Sequence, residues 1–102
     1  MVEIMYEVVI INSAAKQINK FDKPIKNKII DALEKIAENP FVGEILKGDL
    51  ALVYSYPLKI AGVKYRIAYQ IKEQEIAVIV IQVGTRENFY EELKKRFIVI
   101  PL

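Results

Sequence analysis

Apolar residues recur along this chain with two different periods, and the changes between them mark the elements. From Val2 to Ile10 every second residue is apolar, with Val2, Ile4, Tyr6, Val8 and Ile10 on one face and Glu3 and Glu7 on the other, which predicts a half-buried strand. From Ala14 to about Phe21 the spacing becomes helical, with Ala14, Ile18 and Phe21 on one side and Lys16, Gln17 and Lys20 outside. Ser13 has the character of an N-cap, its hydroxyl able to accept from a free amide of the first turn. Asp22-Lys23-Pro24 reads as a break and a restart, because Asp22 can cap and Pro24 falls where a missing amide proton is harmless. The second helix runs to about Glu38 on the stripe Ile25, Ile29, Leu33 and Ile36, and Asn39-Pro40 ends it, since the residue before proline is pushed out of the helical region. So short a connection predicts an antiparallel helical hairpin.

Residues 41–49, with glycines at 43 and 48, read as a loop. A strand is expected from Leu50 to about Tyr56, ended by Pro57, which cannot donate to a ladder. Residues 57–62 then connect to the clearest alternation in the chain. There Val63, Tyr65, Ile67, Tyr69 and Ile71 share one face, and Lys64, Arg66, Ala68 and Gln70 share the other. Lys72-Glu73-Gln74-Glu75 makes a polar turn into a last strand, Ile76 to Val83, which is apolar on both faces except at Gln82, as in a strand covered on both sides. After Gly84, Thr85 is expected to cap a short amphipathic helix ending near Phe97, and the apolar tail Phe97 to Leu102 either packs back on the domain or awaits a partner. The order is β-α-α-β-β-β-α. It predicts an α+β fold: a mostly antiparallel four-stranded sheet, a helical hairpin on one face, and a short C-terminal helix. Lys64 and Arg66 fall on the other sheet face, expected to be mainly polar.

Composition narrows the classes. At 102 residues the chain is expected to be one domain, residues 1–102, long enough to bury a core without staples. It has no cysteine, which excludes disulfides and thiolate metal sites, and no histidine, so any proton transfer falls to Lys, Tyr, Asp, Glu or Arg. A net charge of +2 permits a polyanionic partner without demanding one. No charged segment followed by an apolar one opens the chain, and no apolar run approaches the roughly 18 residues needed to span a bilayer. The expected setting is therefore cytoplasmic, with no membrane partner.

Four local signatures, in this order, resemble the RelE/ParE superfamily of toxin–antitoxin toxins: Ser13-Ala14-Ala15-Lys16 opening a helix, Asn39-Pro40 ending the second, the run Lys64-Tyr65-Arg66-Ile67-Ala68-Tyr69, and Val83-Gly84-Thr85-Arg86 followed by Tyr90. The resemblance covers nearly the whole chain and is strongest toward the RelE branch. It implies a toxin that cleaves messenger RNA in the ribosomal A site, inhibits translation, and is neutralised by a RelB-type antitoxin. Operator DNA would be met only through the antitoxin complex, and no cofactor or metal is implied. Residue by residue, Arg66 matches the family's strand arginine, Arg86 its arginine after the Gly-x motif, and Tyr90 its C-terminal tyrosine near the cleaved bond. Ser55 and Pro57 depart from the pattern, standing where RelE-like members often carry lysine or arginine. Lys59 is the nearest substitute as a catalytic cation, and Lys64 is the expected substrate-binding one.

Those residue types suit RNA cleavage by the substrate's own 2′-hydroxyl, which leaves a 2′,3′-cyclic phosphate. A guanidinium grips phosphate oxygens bidentately and stays charged at any relevant pH. Tyr90 can stack on a base or share in proton transfer. Lys59 or Lys64 could act as base only if its pKa fell from the ordinary value of about 10.4. On pattern alone, Arg66 reads first as a solvated surface cation, and Arg86 as a helix-surface residue one turn from Tyr90. Two other functions remain open at this point: a ParE-like toxin that inhibits DNA gyrase by binding, and a degenerate toxin kept as a DNA-bound co-repressor with its antitoxin.

Overall fold

The computed structural model describes residues 4–50, 52–85 and 87–99, with residue 49 and residues 96–99 described as backbone alone. In chain order the elements are β1 (Glu7–Ile10), α1 (Asn12–Asn19), α2 (Lys23–Glu38), β2 (Glu44–Ile45), β3 (Tyr54–Ile60), β4 (Val63–Lys72), β5 (Ala77–Thr85) and α3 (Phe89–Val99), with short 3-10 turns at Pro40–Val42, Gly48–Leu50 and Glu73–Glu75. All five strands form one sheet in the order β1-β5-β4-β3-β2. The first strand runs parallel to the last, with Val8 opposite Val78 and Ile10 opposite Val80. Every other pairing is antiparallel.

The α+β class and the hairpin on one sheet face are as the sequence predicts. The sheet has five strands rather than four, because the loop expected at 41–49 contains β2, whose two residues are too few for alternation to show. The main core lies between the sheet and the helical hairpin. It joins Ala14 and Ile18 of α1 and Ile29, Ala32, Leu33 and Ile36 of α2 to Ile67, Tyr69, Val78, Val80 and Val83 of the central strands. Tyr6, Val8 and Ile10 pack against it as their alternation requires, while Ile4 is exposed.

Helix starts were harder to read. α1 begins at Asn12 with Ile11 at the cap position, so Ser13 lies inside the helix rather than before it. Asp22 does stand at the N-cap of α2, but its side chain makes no capping bond. Asn39 ends that helix, and its side chain accepts from the Phe41 amide at 3.3 Å. α3 begins at Phe89, not after Thr85, and the Asn88 carbonyl takes the first helical bond from the Glu92 amide. The apolar tail beginning at Phe97 was to pack back or meet a partner; that expectation lies outside the described residues.

The third strand also shifts. Leu50 sits in a 3-10 turn, β3 starts at Tyr54, and Pro57 stands inside it opposite Arg66. Proline is tolerated there because β2 covers β3 only at Tyr54 and Ser55, leaving the rest of β3 an edge whose outward amides need no strand partner. The connection expected at 57–62 shrinks to Ala61-Gly62, both at positive φ (51° and 82°), between the paired residues Ile60 and Val63.

The expectation of a mainly polar second sheet face holds only at one end. β5 carries a bulge opposite the Ala68/Tyr69 step: Ala68 pairs with Gln82 and Tyr69 with Val80, leaving Ile81 extra. A residue inserted this way breaks the alternation and turns two neighbours toward one side. Ile81 accordingly joins Leu50, Val53, Ala68, Phe89 and Leu93 in a second, smaller core on the face away from the hairpin. α3 and the 48–50 turn cover that face, so Ala68 and Gln70 are buried rather than solvated.

Candidate functional site

Strand register places the candidate residues in successive rows on the face carrying α3. Ser55, Ala68 and Gln82 form one row across β3, β4 and β5, all buried under α3 and the second core. Pro57, Arg66 and Gly84 form the next. Lys59 and Lys64 stand opposite each other in the row beyond, both exposed. Polarity thus rises along one sheet face from a dry core to open solvent, and Arg66 sits at the boundary, half-buried.

Arg66 and Tyr90 come together. The guanidinium carbon of Arg66 lies 5.5 Å from the centroid of the Tyr90 ring. A cation over an aromatic face is attracted to it by about 0.5–1 kcal/mol at exposed sites and by more when water is excluded. The Tyr90 ring is itself braced edge-on by Phe89, the first residue of α3, at 5.5 Å between centroids. Arg66 Nε is buried and has no hydrogen-bond partner among the described residues. An unmet buried donor costs about 1–3 kcal/mol, more when charged, so this nitrogen is poised for an acceptor.

Lys59 and Lys64 share the face of Arg66, one row further out. Two ammonium groups directly opposite on neighbouring strands repel each other, a disposition that an anion between them relieves. Arg86 lies outside the described residues; its neighbour Thr85 ends β5 opposite Tyr65. Ser55, at a position where relatives often carry a basic residue, is fully buried with no hydroxyl partner among the described residues, while Pro57 is exposed. Tyr65 and Tyr69 belong to the hairpin-side core, as their parity indicates.

The residue that pattern reading did not bring to the site is Gln82. Its side-chain amide donates to the Phe89 carbonyl at 2.7 Å. The signal was present: it is the single polar position in the apolar run of β5. A second glutamine, Gln17 on α1, was placed outside by its helical position yet accepts from the Val83 amide at 2.9 Å. β1 ends at Ile10, so on that edge β5 has no strand neighbour beside Val83, whose other side pairs with Ile67 of β4, and the Gln17 side chain takes the place of the β1 ladder.

Two clefts flank the site without containing it. One, of about 530 Å³, is lined by Lys16, Gln17, Lys20, Glu92 and Lys95 among others. The second, of about 250 Å³, runs along Gln82, Val83, Gly84 and Thr85. The linings of these two clefts do not include Arg66 or Tyr90, both of which are half-buried. No three His, Cys, Asp or Glu side chains among the described residues are disposed to hold a metal ion, and no described helix is long and apolar enough to cross a membrane.

Comparison with known proteins agrees with this fold. The family profile described as "ParE-like toxin of type II bacterial toxin-antitoxin system" matches residues 8–94. The chain is 28% identical over 88 residues to the mRNA interferase toxin RelE of Escherichia coli K12, covering 83% of this chain and 90% of that one. The free-state structure of a double-arginine mutant of E. coli toxin RelE superposes with a TM-score of 0.74 at 26% identity, over 90% of this chain and 97% of that one. A chain of the toxin–antitoxin complex RelBE2 from Mycobacterium tuberculosis gives 0.69 at 25% identity, over 80% and 99%.

Proposed function

The chain belongs to the ParE-like toxins of type II bacterial toxin–antitoxin systems, and from that premise we propose that it is a ribosome-dependent mRNA endoribonuclease that inhibits translation in the cytoplasm and is held in check by a RelB-type antitoxin. The observation that carries this reading is Arg66: half-buried, held against the Tyr90 ring, with an Nε that lacks an acceptor among the described residues. A phosphate oxygen is the acceptor its planar donor array suits best. The named activity of the E. coli RelE relative, an mRNA interferase toxin, supports the same substrate class. A relative solved as a toxin–antitoxin complex supports the antitoxin partner.

The chemistry needs no covalent enzyme intermediate. The 2′-hydroxyl of the nucleotide 5′ to the break attacks the adjacent phosphorus, the bond to the 5′-oxygen of the next nucleotide breaks, and the products are a 2′,3′-cyclic phosphate and a 5′-hydroxyl. Arg66 and Arg86, the residue that follows β5 in the sequence, stabilise the charge gathering on the non-bridging oxygens. Tyr90 orders the nucleotide at the break, and Lys64 with Lys59 draws the flanking phosphates to the open row. Arg66 and Tyr90 grip and stack but do not thread a strand, so its alignment falls to whatever presents it. The ribosomal A site does that, converting a loose encounter into a positioned one.

The test is a translation extract with the message mapped by primer extension. The wild type is expected to cut at codon-spaced positions, and Arg66→Ala and Arg86→Ala are each expected to lower cutting about 10²–10³-fold, the usual loss for one oxyanion-stabilising donor. Intact message together with blocked DNA supercoiling would replace this reading with gyrase inhibition.

A further inference from the structure

Gln82 is 1% exposed in the most buried strand of the sheet, and it is the polar exception there. Its two amide ends fare differently. Nε2 donates to the Phe89 carbonyl at 2.7 Å, while Oε1 is buried with no partner among the described residues. An apolar side chain of similar length would avoid that orphaned acceptor, which costs about 1–3 kcal/mol. Fold stability therefore does not explain the glutamine. What the amide accomplishes is local. It ties the first residue of α3 to the central strand, and the next residue is Tyr90. The chain enters α3 through Asn88 at φ 57°, a left-handed conformation that asparagine accommodates, so the helix opens directly from a turn and a tether at its start fixes its direction. The bulge in β5 supplies one by turning Gln82 onto the α3 face, one row from Arg66.

We infer that Gln82 is a positioning residue of the site: by holding the Phe89 carbonyl, it fixes the start of α3 and thereby the Tyr90 ring against the Arg66 guanidinium. Its catalytic consequence rests on the nuclease reading given above; its geometric consequence does not. Removing the amide while keeping length leaves the core intact and lets the helix start drift, so Arg66 loses its ring support and the bound phosphate its alignment.

Gln82→Met removes the amide and keeps the volume, and Gln82→Leu serves as a second variant should the first fail to fold. In the free protein, the Arg66 Nε–H and Cδ–H resonances sit in the ring current of Tyr90. They are expected to move in Gln82→Met toward their positions in Tyr90→Ala, with thermal stability unchanged or raised. In the translation extract, kcat is expected to fall about tenfold, the scale of one lost hydrogen bond, with KM for programmed ribosomes unchanged. In a Tyr90→Ala background, Gln82→Met is expected to lower kcat no further. Arg66 resonances that stay at wild-type positions, or an undiminished loss of kcat in the Tyr90→Ala background, would overturn the inference. If the wild type cuts no message, it is the nuclease reading that fails, and the resonances alone decide the role of Gln82.

Discussion

Tyr69 shows how much one side chain can organise. Its hydroxyl donates to the Pro40 carbonyl at 2.8 Å and accepts from the Gly43 amide at 3.2 Å, so a tyrosine on β4 fastens the segment that follows α2. Its ring stacks on Tyr54 at 5.6 Å. Gly43 is required by close approach, since a Cβ there would collide with the Tyr69 hydroxyl. Tyr69→Phe strands a carbonyl and an amide at once, and is expected to lower stability by about 1–3 kcal/mol in urea unfolding at pH 7. Burial also pushes the phenol from its ordinary 10.0 up to about 12, outweighing the amide bond from Gly43, which acts the other way. The unfolded chain therefore gives up this proton first. Between pH 10 and 12 the unfolded state binds fewer protons than the folded one, so the contribution of Tyr69 is complete below pH 10 and is lost as pH rises toward 12. Unfolding curves across that window are expected to fall more steeply for wild type than for Tyr69→Phe.

At the scale of elements, turns carry strain that alternation cannot reveal. Ala61 holds φ 51° in the two-residue hairpin between β3 and β4, a position that asparagine or glycine fills more easily. Ala61→Asn is expected to stabilise by about 1 kcal/mol, read as a higher urea midpoint with an unchanged m-value. Ile76 holds a similar left-handed conformation (φ 51°) after the 73–75 turn, which explains why β5 starts at Ala77 although the apolar run begins earlier. The bulge in β5 belongs to this scale too. The alternation of β4 was legible because the extra residue lies in its partner and leaves β4 itself regular. β5 reads as continuously apolar, and an extra residue in such a run leaves no mark on its pattern. Face assignments beyond the bulge, and with them the placement of Gln82, were therefore illegible.

For the whole molecule, the two cores are unequal. The larger joins α1, α2 and the central strands, whereas the smaller holds α3 to the opposite face chiefly through Phe89 and Leu93. A lesser buried area gives a lower free energy of local opening. In native-state amide exchange, α3 is expected to exchange through a sub-global opening while β4 and β5 exchange only on global unfolding. Phe89→Ala is expected to accelerate exchange across α3 and leave β4 and β5 little changed. If α3 and β4 exchange with one common free energy, the two cores act as one. Because Tyr90 rides on α3, the same opening would dismantle the Arg66–Tyr90 pair, so site assembly and the least stable part of the fold are coupled.

The element order and the hairpin-side core were written in local periodicity, since strand and helix impose different spacings on apolar residues and each spacing is read from neighbours alone. Arg66, Arg86, Tyr90, Lys59 and Lys64 were legible as candidates through motif resemblance and residue chemistry, not through pattern. Meeting in space was another matter. That Arg66 reaches the Tyr90 ring, that β1 closes in parallel on β5, and that Gln82 turns toward α3 depend on register, a bulge and the packing of a helix far away along the chain. The first two are long-range relations, set when apolar faces find each other, that no short window of sequence contains; Gln82 lies only seven residues from Phe89, yet its facing depends on pairing with β4 across the bulge.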